Sequence, residues 1–340
     1  ARKACRENAN PEPEFSVERP EDKAYGDYAV NIALKLAKTF KMPPMKIAEN
    51  FRSRLLHLKT DLFDKVEIAE PGFINFFISP DYLQKQVEEI VKQKEKFSQL
   101  NSGKGQKVSI ESVSANPTGQ LHIGNGRSVF SGDAIANILE KAGYEVIREY
   151  LINDARNSKQ IMELGKTALG KGETYKTLYI VNLLEKFKIN SGTESEAGYK
   201  LAQLIQKDTK DLLVNKLKIK FDKWVSEEED IYKKNKIKKI LDWLEKNNLV
   251  YEKDKARWLR TSQFGDDKDW VVVRETGEPT YLLSDIAYHK DKFDGGFSRV
   301  IDIWGADHQA HVSKMKAVSK ILGFKGRLDI LVLQLVTLRG

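Results

Sequence analysis

One stretch limits the folds open to this chain more than any other. Val108, Ile110 and Val113 predict a strand ending near Ser114. Asn116, Pro117 and Gly119 then mark a turn. His122-Ile123-Gly124-Asn125 follows. From Gly126 the apolar positions Val129, Phe130, Ile135, Ile138, Leu139 and Ala142 recur at helical spacing, and Gly143 is placed to end the helix. A second strand is expected over residues 146–152. The result is a β–loop–α–β unit with an imidazole and glycines at the helix entrance. Free N–H groups and the positive end of the helix dipole collect there, which makes it a seat for phosphate. Glycine lets a nucleotide come close to the backbone.

A second unit of this kind is expected near the end of the chain. Residues 300–304 read as a strand, Gly305-Ala306-Asp307-His308 as a turn, and the following residues to about 322 as a helix stopped by Gly323. Residues 328–338 read as a buried returning strand. Both turns follow strand ends, and in a doubly wound sheet such ends share one ligand-binding rim. Residues 106–340 are therefore expected to form a nucleotide-binding α/β domain. Its lysine-rich helical insertion is expected over about 155–255, without an internal repeat. Residues 1–14 read as a polar leader and residues 15–100 as a small α+β domain. That domain is expected to have helices over 28–40 and 44–58, strands over 66–68 and 73–78, and a helix opened by Pro80. Residues 101–105 read as a flexible linker.

Composition excludes several classes. The 340 residues are 41% hydrophobic, enough for globular cores. No run of about 18 apolar residues predicts a transmembrane helix. The first residues lack the apolar segment of a secretory signal. The single cysteine, Cys5, supports neither an internal disulfide nor a cysteine-rich zinc site. A cytoplasmic location is the expectation. The net charge of +8 is compatible with solvated lysine faces or with a polyanion partner.

His122-Ile123-Gly124-Asn125 resembles the HIGH nucleotide motif of class I aminoacyl-tRNA synthetases, with Asn125 in place of the second histidine. The surrounding residues narrow the resemblance to arginyl-tRNA synthetases. They are Ser114-Ala115-Asn116-Pro117-Thr118-Gly119, Tyr150-Leu151-Ile152-Asn153-Asp154, Phe221-Asp222-Lys223-Trp224-Val225-Ser226-Glu227, Pro279-Thr280-Tyr281-Leu282-Leu283-Ser284-Asp285, and Ile303-Trp304-Gly305-Ala306-Asp307-His308. The resemblance implies a Rossmann-like, parallel-sheet catalytic domain with a helical insertion, preceded by a small α+β domain. It implies a monomer that uses ATP with Mg2+, L-arginine and tRNA(Arg), without a resident structural metal.

The same resemblance assigns residues. His122 and Asn125 stabilise the phosphates during reaction. Gly119, Gly124, Gly305, Asp307 and His308 complete the ATP site. Glu111 and Asp285 hold the guanidinium with Tyr281 packed beside it, and Ser114 and Asn116 hold the α-amino end. Gln309 is a further arginine contact, alternative to His308. Phe73 and Asn75 lie in the region that would meet the tRNA elbow, although Gly72-Phe73-Ile74-Asn75-Phe76-Phe77 also reads as an alternating strand in which Phe73 is core.

Other readings compete with these. His122 alone could be a turn histidine bonded to backbone, Glu111 and Asp285 could be surface ion pairs, and Asp307 could be a plain N-cap. The second class I motif is expected just beyond residues 336–340. Lys314-Met315-Lys316 does not replace it, because that segment reads as helix interior. The chain thus reads as an N-terminal portion, expected to lack that motif and the anticodon-binding domain. A small nucleotidyltransferase and a tRNA-binding piece without turnover remain alternatives. Gly103-Lys104-Gly105 and Gly170-Lys171-Gly172 lack phosphate-loop spacing.

Overall fold

A computed structural model describes residues 15–58, 60–334 and 336. The expected leader, 1–14, lies outside the described residues. The chain divides into two compact units, with the boundary between Ser98 and Gln99.

The first unit begins with β1 (Val17–Glu18) and β2 (Tyr28–Val30), then α1 (Ile32–Phe40) and α2 (Pro44–His57). β3 (Phe63–Ala69), β4 (Phe73–Ile78) and α3 (Pro80–Gln93) follow. The strands form an antiparallel sheet in the order β1-β2-β4-β3. The expected helix over 28–40 starts later than its apolar spacing suggested. Tyr28, Ala29 and Val30 instead pair with Phe76, Asn75 and Ile74, since a hydrogen-bonded neighbour overrides local propensity. Ile32, Leu36, Ile47, Val66 and Ile74 fill the core between helices and sheet. Pro44 stands in the first turn of α2, where its missing N–H is harmless.

In the second unit β5 (Lys107–Ala115), α4 (Ile123–Lys141) and β6 (Glu145–Ile152) form the expected β–loop–α–β. Three helices come next: α5 (Lys159–Ala168), α6 (Leu178–Phe187) and α7 (Glu194–Lys210). The chain continues through β7 (Lys223–Ser226), α8 (Lys236–Lys246), β8 (Val250–Lys253), β9 (Ala256–Leu259) and β10 (Trp270–Val273). It ends with α9 (Tyr281–Asp294), β11 (Arg299–Gly305), a 3-10 turn at Ala306–His311, α10 (Val312–Ile321) and β12 (Arg327–Leu333).

The parallel sheet runs β12-β11-β5-β6-β7. Its crossovers diverge on either side of the β5–β11 pair, so the crevice at the carboxyl ends of these strands is the ligand position of a doubly wound sheet. The expected insertion over 155–255 is not purely helical. β7 lies inside it and belongs to the main sheet, while β8, β9 and β10 make a small antiparallel sheet. β7 is four residues long, too short for its alternation to stand out beside the flanking helices.

Residues 100–105 are not free. The Leu100, Gly103 and Gly105 N–H groups donate to the Lys141, Ala142 and Gly143 carbonyls at 2.7, 2.8 and 2.9 Å. They satisfy the carbonyl end of α4, which would otherwise lack partners. β12 pairs with β11 alone and is half-buried, not the fully buried strand expected. Gly132 of α4 lets the helix lie on β5, because a Cβ there would stand 2.3 Å from the Ser112 Cβ.

Candidate functional site

The helix entrance is built by His122 and Asn125 acting on each other's backbone. His122 is the N-cap of α4, and its Nδ1 accepts from the Gly124 N–H at 3.1 Å. The Asn125 Oδ1 accepts from the His122 N–H at 3.1 Å. This reciprocal cap fixes the rotamers of both side chains. It leaves the imidazole Nε2 edge and the Asn125 amide N–H groups as donors. The helix therefore starts at Ile123, earlier than Gly126. Gly119 faces open space, so a side chain there would take room that a ligand can use.

The entrance opens on a cavity of about 1450 Å3. That exceeds the usual volume for one drug-sized ligand, roughly 300–1,000 Å3, and admits two substrates side by side. Its wall includes Glu111, Ser114, Asn116, Gly119, His122, Gly124 and Asn125 from the first βα unit. From the later elements it includes Tyr281, Asp285, Gly305, Asp307 and His308. The sequence reading thus named residues nearly two hundred positions apart that line one space. Gln309 is the exception and does not line it. In the 3-10 turn, residues three apart share a side, so His308 and His311 face the cavity and Gln309 does not.

One end of the cavity is acidic. Asp285 sits on α9 one turn beyond Tyr281, which is half exposed to the cavity. Burial, assisted by the like charges of Glu227 and Glu111, pushes the Asp285 carboxyl up to about 8. Burial also raises Glu227 to about 7, with the Asp154 charge adding to the effect. Neither carboxylate has a cationic ion-pair partner among the described residues. Glu227 was quoted in the resemblance but given no role. Its position just after β7 at the strand's carboxyl end was the available signal, hidden because β7 itself went unrecognised. The turn that carries it is clasped. The Ser226 hydroxyl donates to both Asp154 oxygens at 2.8 Å, and the Glu228 N–H donates to one of them at 3.1 Å.

Glu111 differs from these two. Its Oε2 accepts from the Tyr288 hydroxyl at 2.9 Å and also from the Lys292 ammonium. It reaches the cavity wall already paired, and so is not a free carboxylate of the kind Asp285 offers.

The cavity wall also carries donors and rings. The Ser114 hydroxyl accepts from the Asn153 amide at 3.0 Å, and Asn116 is exposed to the cavity. The His308 Nε2 lies 3.4 Å from an Asp307 oxygen. Lys314 is buried with its ammonium 3.5 Å from the Trp270 ring centre and 3.2 Å from the His311 Nδ1. Burial lowers both Lys314 and His311. Met315, the next residue, packs in the core with Val318, as a helix interior requires.

In the first unit, Ile74 and Phe76 face the core, so Phe73, Asn75 and Phe77 point to the other side of β4. Phe73 is half-buried and outside the core cluster, whereas Asn75 is buried.

Family comparison agrees with this geometry over most of the chain. Residues 2–78 match the arginyl tRNA synthetase N terminal domain, and residues 86–161 and 174–333 match the catalytic domain of tRNA synthetases class I (R). The chain belongs to the arginyl-tRNA synthetase family. The arginine–tRNA ligase of Bacillus subtilis (strain 168) and arginine–tRNA ligase 1 of Halalkalibacterium halodurans are each 40% identical over 348 residues. Each alignment covers 96% of this chain and 62% of the relative, so the chain spans about three-fifths of their length. Arginyl-tRNA synthetases of Plasmodium falciparum and Thermus thermophilus share the fold. Their TM-scores are 0.70 and 0.65 at 18% and 20% identity, over 99% and 98% of this chain and 64% of each of theirs. Among the described residues no helix is long and apolar enough to cross a membrane.

Proposed function

We propose that this chain carries the amino-acid activation site and the tRNA-elbow domain of an arginine–tRNA ligase. The observation behind this reading is the buried Glu227 and half-buried Asp285, without a cationic ion-pair partner among the described residues, in the same cavity as a capped helix N-terminus. A guanidinium stays charged at all relevant pH and presents a planar fork of donors, which matches two carboxylates. Tyr281 packs beside it, and Glu111 adds a fixed oxygen from below. Ser114 and Asn116 take the α-amino end. The arginine carboxylate oxygen then attacks the α-phosphorus of ATP. The P–O bond to the β-phosphate breaks, and pyrophosphate leaves with that electron pair. The nucleophile is already ionised, so the chain supplies position and donors and no base. The His122 Nε2 edge, the Asn125 amide and the α4 N-terminus face the phosphates, and the Gly305–His308 turn faces the nucleoside. Mg2+ bound to the ATP phosphates would supply positive charge to the departing pyrophosphate. Among the described residues no group of three or more His, Cys, Asp or Glu side chains stands ready to hold a metal by itself.

In this reading the half-buried Phe73 meets the tRNA(Arg) elbow while the buried Asn75 does not reach the surface, the adenylate passes to the tRNA, and the protein acts as a cytoplasmic monomer. Exchange of labelled pyrophosphate into ATP, with arginine and tRNA supplied, tests it. Arginine-dependent exchange that lysine and citrulline do not support is the expected result. Binding of arginine without exchange would leave a binding module only, and exchange independent of arginine would sink the assignment.

A further inference from the structure

Beneath the acidic end of the cavity lies a group of paired charges that meets the cavity through Glu111. Lys292 is 1% exposed, and its ammonium lies 2.8 Å from Asp302 Oδ1, 3.8 Å from Glu149 Oε1 and in contact with Glu111 Oε2. The Tyr288 hydroxyl bridges Glu111 and Glu149. His289 is held at both ring nitrogens, by the Asp285 carbonyl at 2.8 Å and by Asp302 Oδ2 at 3.0 Å. Both partners are acceptors, so both nitrogens donate and the ring is an imidazolium. Burial alone would lower His289, but the Asp302 bond and charge outweigh it and hold its pKa raised. Lys223 reaches Glu149 at 3.2 Å from the edge. Lys292, His289 and Lys223 thus face Glu111, Glu149 and Asp302, and the charges balance.

The residues from α9 form one stripe. Asp285, Tyr288, His289 and Lys292 are spaced three, one and three apart, which places them on a single face over two turns. Their partners come from β5, β6 and β11, the strands whose ends form the rim. Glu111 bonds through Oε2 only. Its Oε1 accepts from no described side chain, and Glu111 lines the cavity.

Resting on the arginine reading above, we propose that Lys292 is the positioning residue of the guanidinium site. Its ammonium fixes the Glu111 carboxylate with Oε1 toward the ligand. By binding Asp302, it also fixes the rotation and depth of α9, and with them Asp285 two turns away. Removing it frees one carboxylate and loosens the helix that carries the other, while the α4 entrance is left alone.

Calorimetry on the whole chain, titrated separately with arginine and with ATP–Mg2+, tests this. Lys292→Met should weaken arginine at least about tenfold and leave ATP within about twofold, because a lost buried partner acts only where geometry depends on it. Tyr288→Phe removes one hydroxyl with almost no change of volume and should weaken arginine about three- to tenfold, again sparing ATP. It serves alone if Lys292→Met does not fold. Arginine affinity within twofold of the parent in the folded variant, or equal losses for arginine and ATP, would overturn the positioning role. A parent chain that binds ATP but not arginine would sink the arginine reading itself, and this proposal with it.

Discussion

Arginine binding should release protons, and the structure sets how many. Asp285 is raised to about 8 by burial and the charges of Glu227 and Glu111, and Glu227 is raised to about 7 by burial and Asp154. The groups around Asp285 are Tyr281 and His289 on its own helix, Glu111 from β5, Glu227 just after β7, and Lys314 from α10. The His289 charge and the Tyr281 hydrogen bond favour its ionised form. At pH 7 the empty site then holds between one and two protons, more of them on Asp285 than on Glu227. A guanidinium needs both oxygens ionised, so these protons leave as it enters. The penalty at pH 7 is on the order of tenfold in affinity and fades as pH rises past 8. Because the two carboxyls interact, the release belongs to the pair. Stability has the opposite sign. A carboxyl raised in the folded state binds a proton that the unfolded chain has lost. The empty protein therefore loses stability as pH rises from about 4 to 8, and arginine removes that loss. Calorimetry in buffers of different ionisation enthalpy, between about pH 6 and 8, measures the release directly. The log of affinity should climb with pH at a slope between one and two below about pH 7 and flatten above 8. Asp285→Asn should weaken arginine by about 2–4 kcal/mol and abolish most of the release. Heats that do not depend on buffer, with flat affinity over this range, would refute the reading of Asp285 and Glu227 as the guanidinium partners.

His122→Ala should lower arginine-dependent pyrophosphate exchange about ten- to a thousandfold, with arginine affinity within about twofold, since the imidazole serves the phosphates. A large loss of arginine affinity with exchange unchanged at saturating arginine would contradict this. Gly132→Ala should cost about 1–3 kcal/mol in thermal unfolding, because its Cβ would stand 2.3 Å from the Ser112 Cβ. Gly126→Ala meets open space in the same helix and should be neutral or stabilising by up to ~1 kcal/mol. Phe73→Ala should weaken tRNA binding by about 1–3 kcal/mol with little change in melting temperature, because the ring is outside the core of its unit. Unaltered tRNA affinity in that folded variant would rule out the stacking role.

The parts of the chain legible in advance are those whose signal is local and chemical. The turn at Asn116–Gly119, the glycines around His122 and the helix stop at Gly323 each impose backbone geometry through one or two residues, and each element was found within a few positions. Tyr28–Val30 and β7 failed because short strands depend on a neighbour to pair with, which a linear pattern does not contain. The buried charges failed for a related reason. Glu111, Glu149, Asp302 and Lys292 look like ordinary surface residues one at a time, and only the sheet brings them together. A signal existed even so. Tyr281, Asp285, Tyr288, His289 and Lys292 form a polar stripe at helical spacing beside Leu282, Leu283 and Ile286, and a polar stripe flanked by an apolar one need not face water.

The departure at Asn125 has a physical reading in the same terms. A histidine at this position would be a second potential cation at the helix entrance. The asparagine instead uses its carbonyl to tie the His122 N–H, and so holds the remaining imidazole in place. One donor is retained, and positive charge at this point is left to the helix dipole. At the far end of the cavity the logic is reversed. Glu111, Glu149 and Asp302 are matched by Lys292, His289 and Lys223, while Asp285 and Glu227 have no ion-pair partner among the described residues and are held raised by burial. On the proposed arginine reading, neutralising the floor makes the two remaining carboxylates selective. Excess negative charge from below would draw in any cation, whereas a balanced floor leaves attraction only where the fork of a guanidinium can reach both oxygens at once.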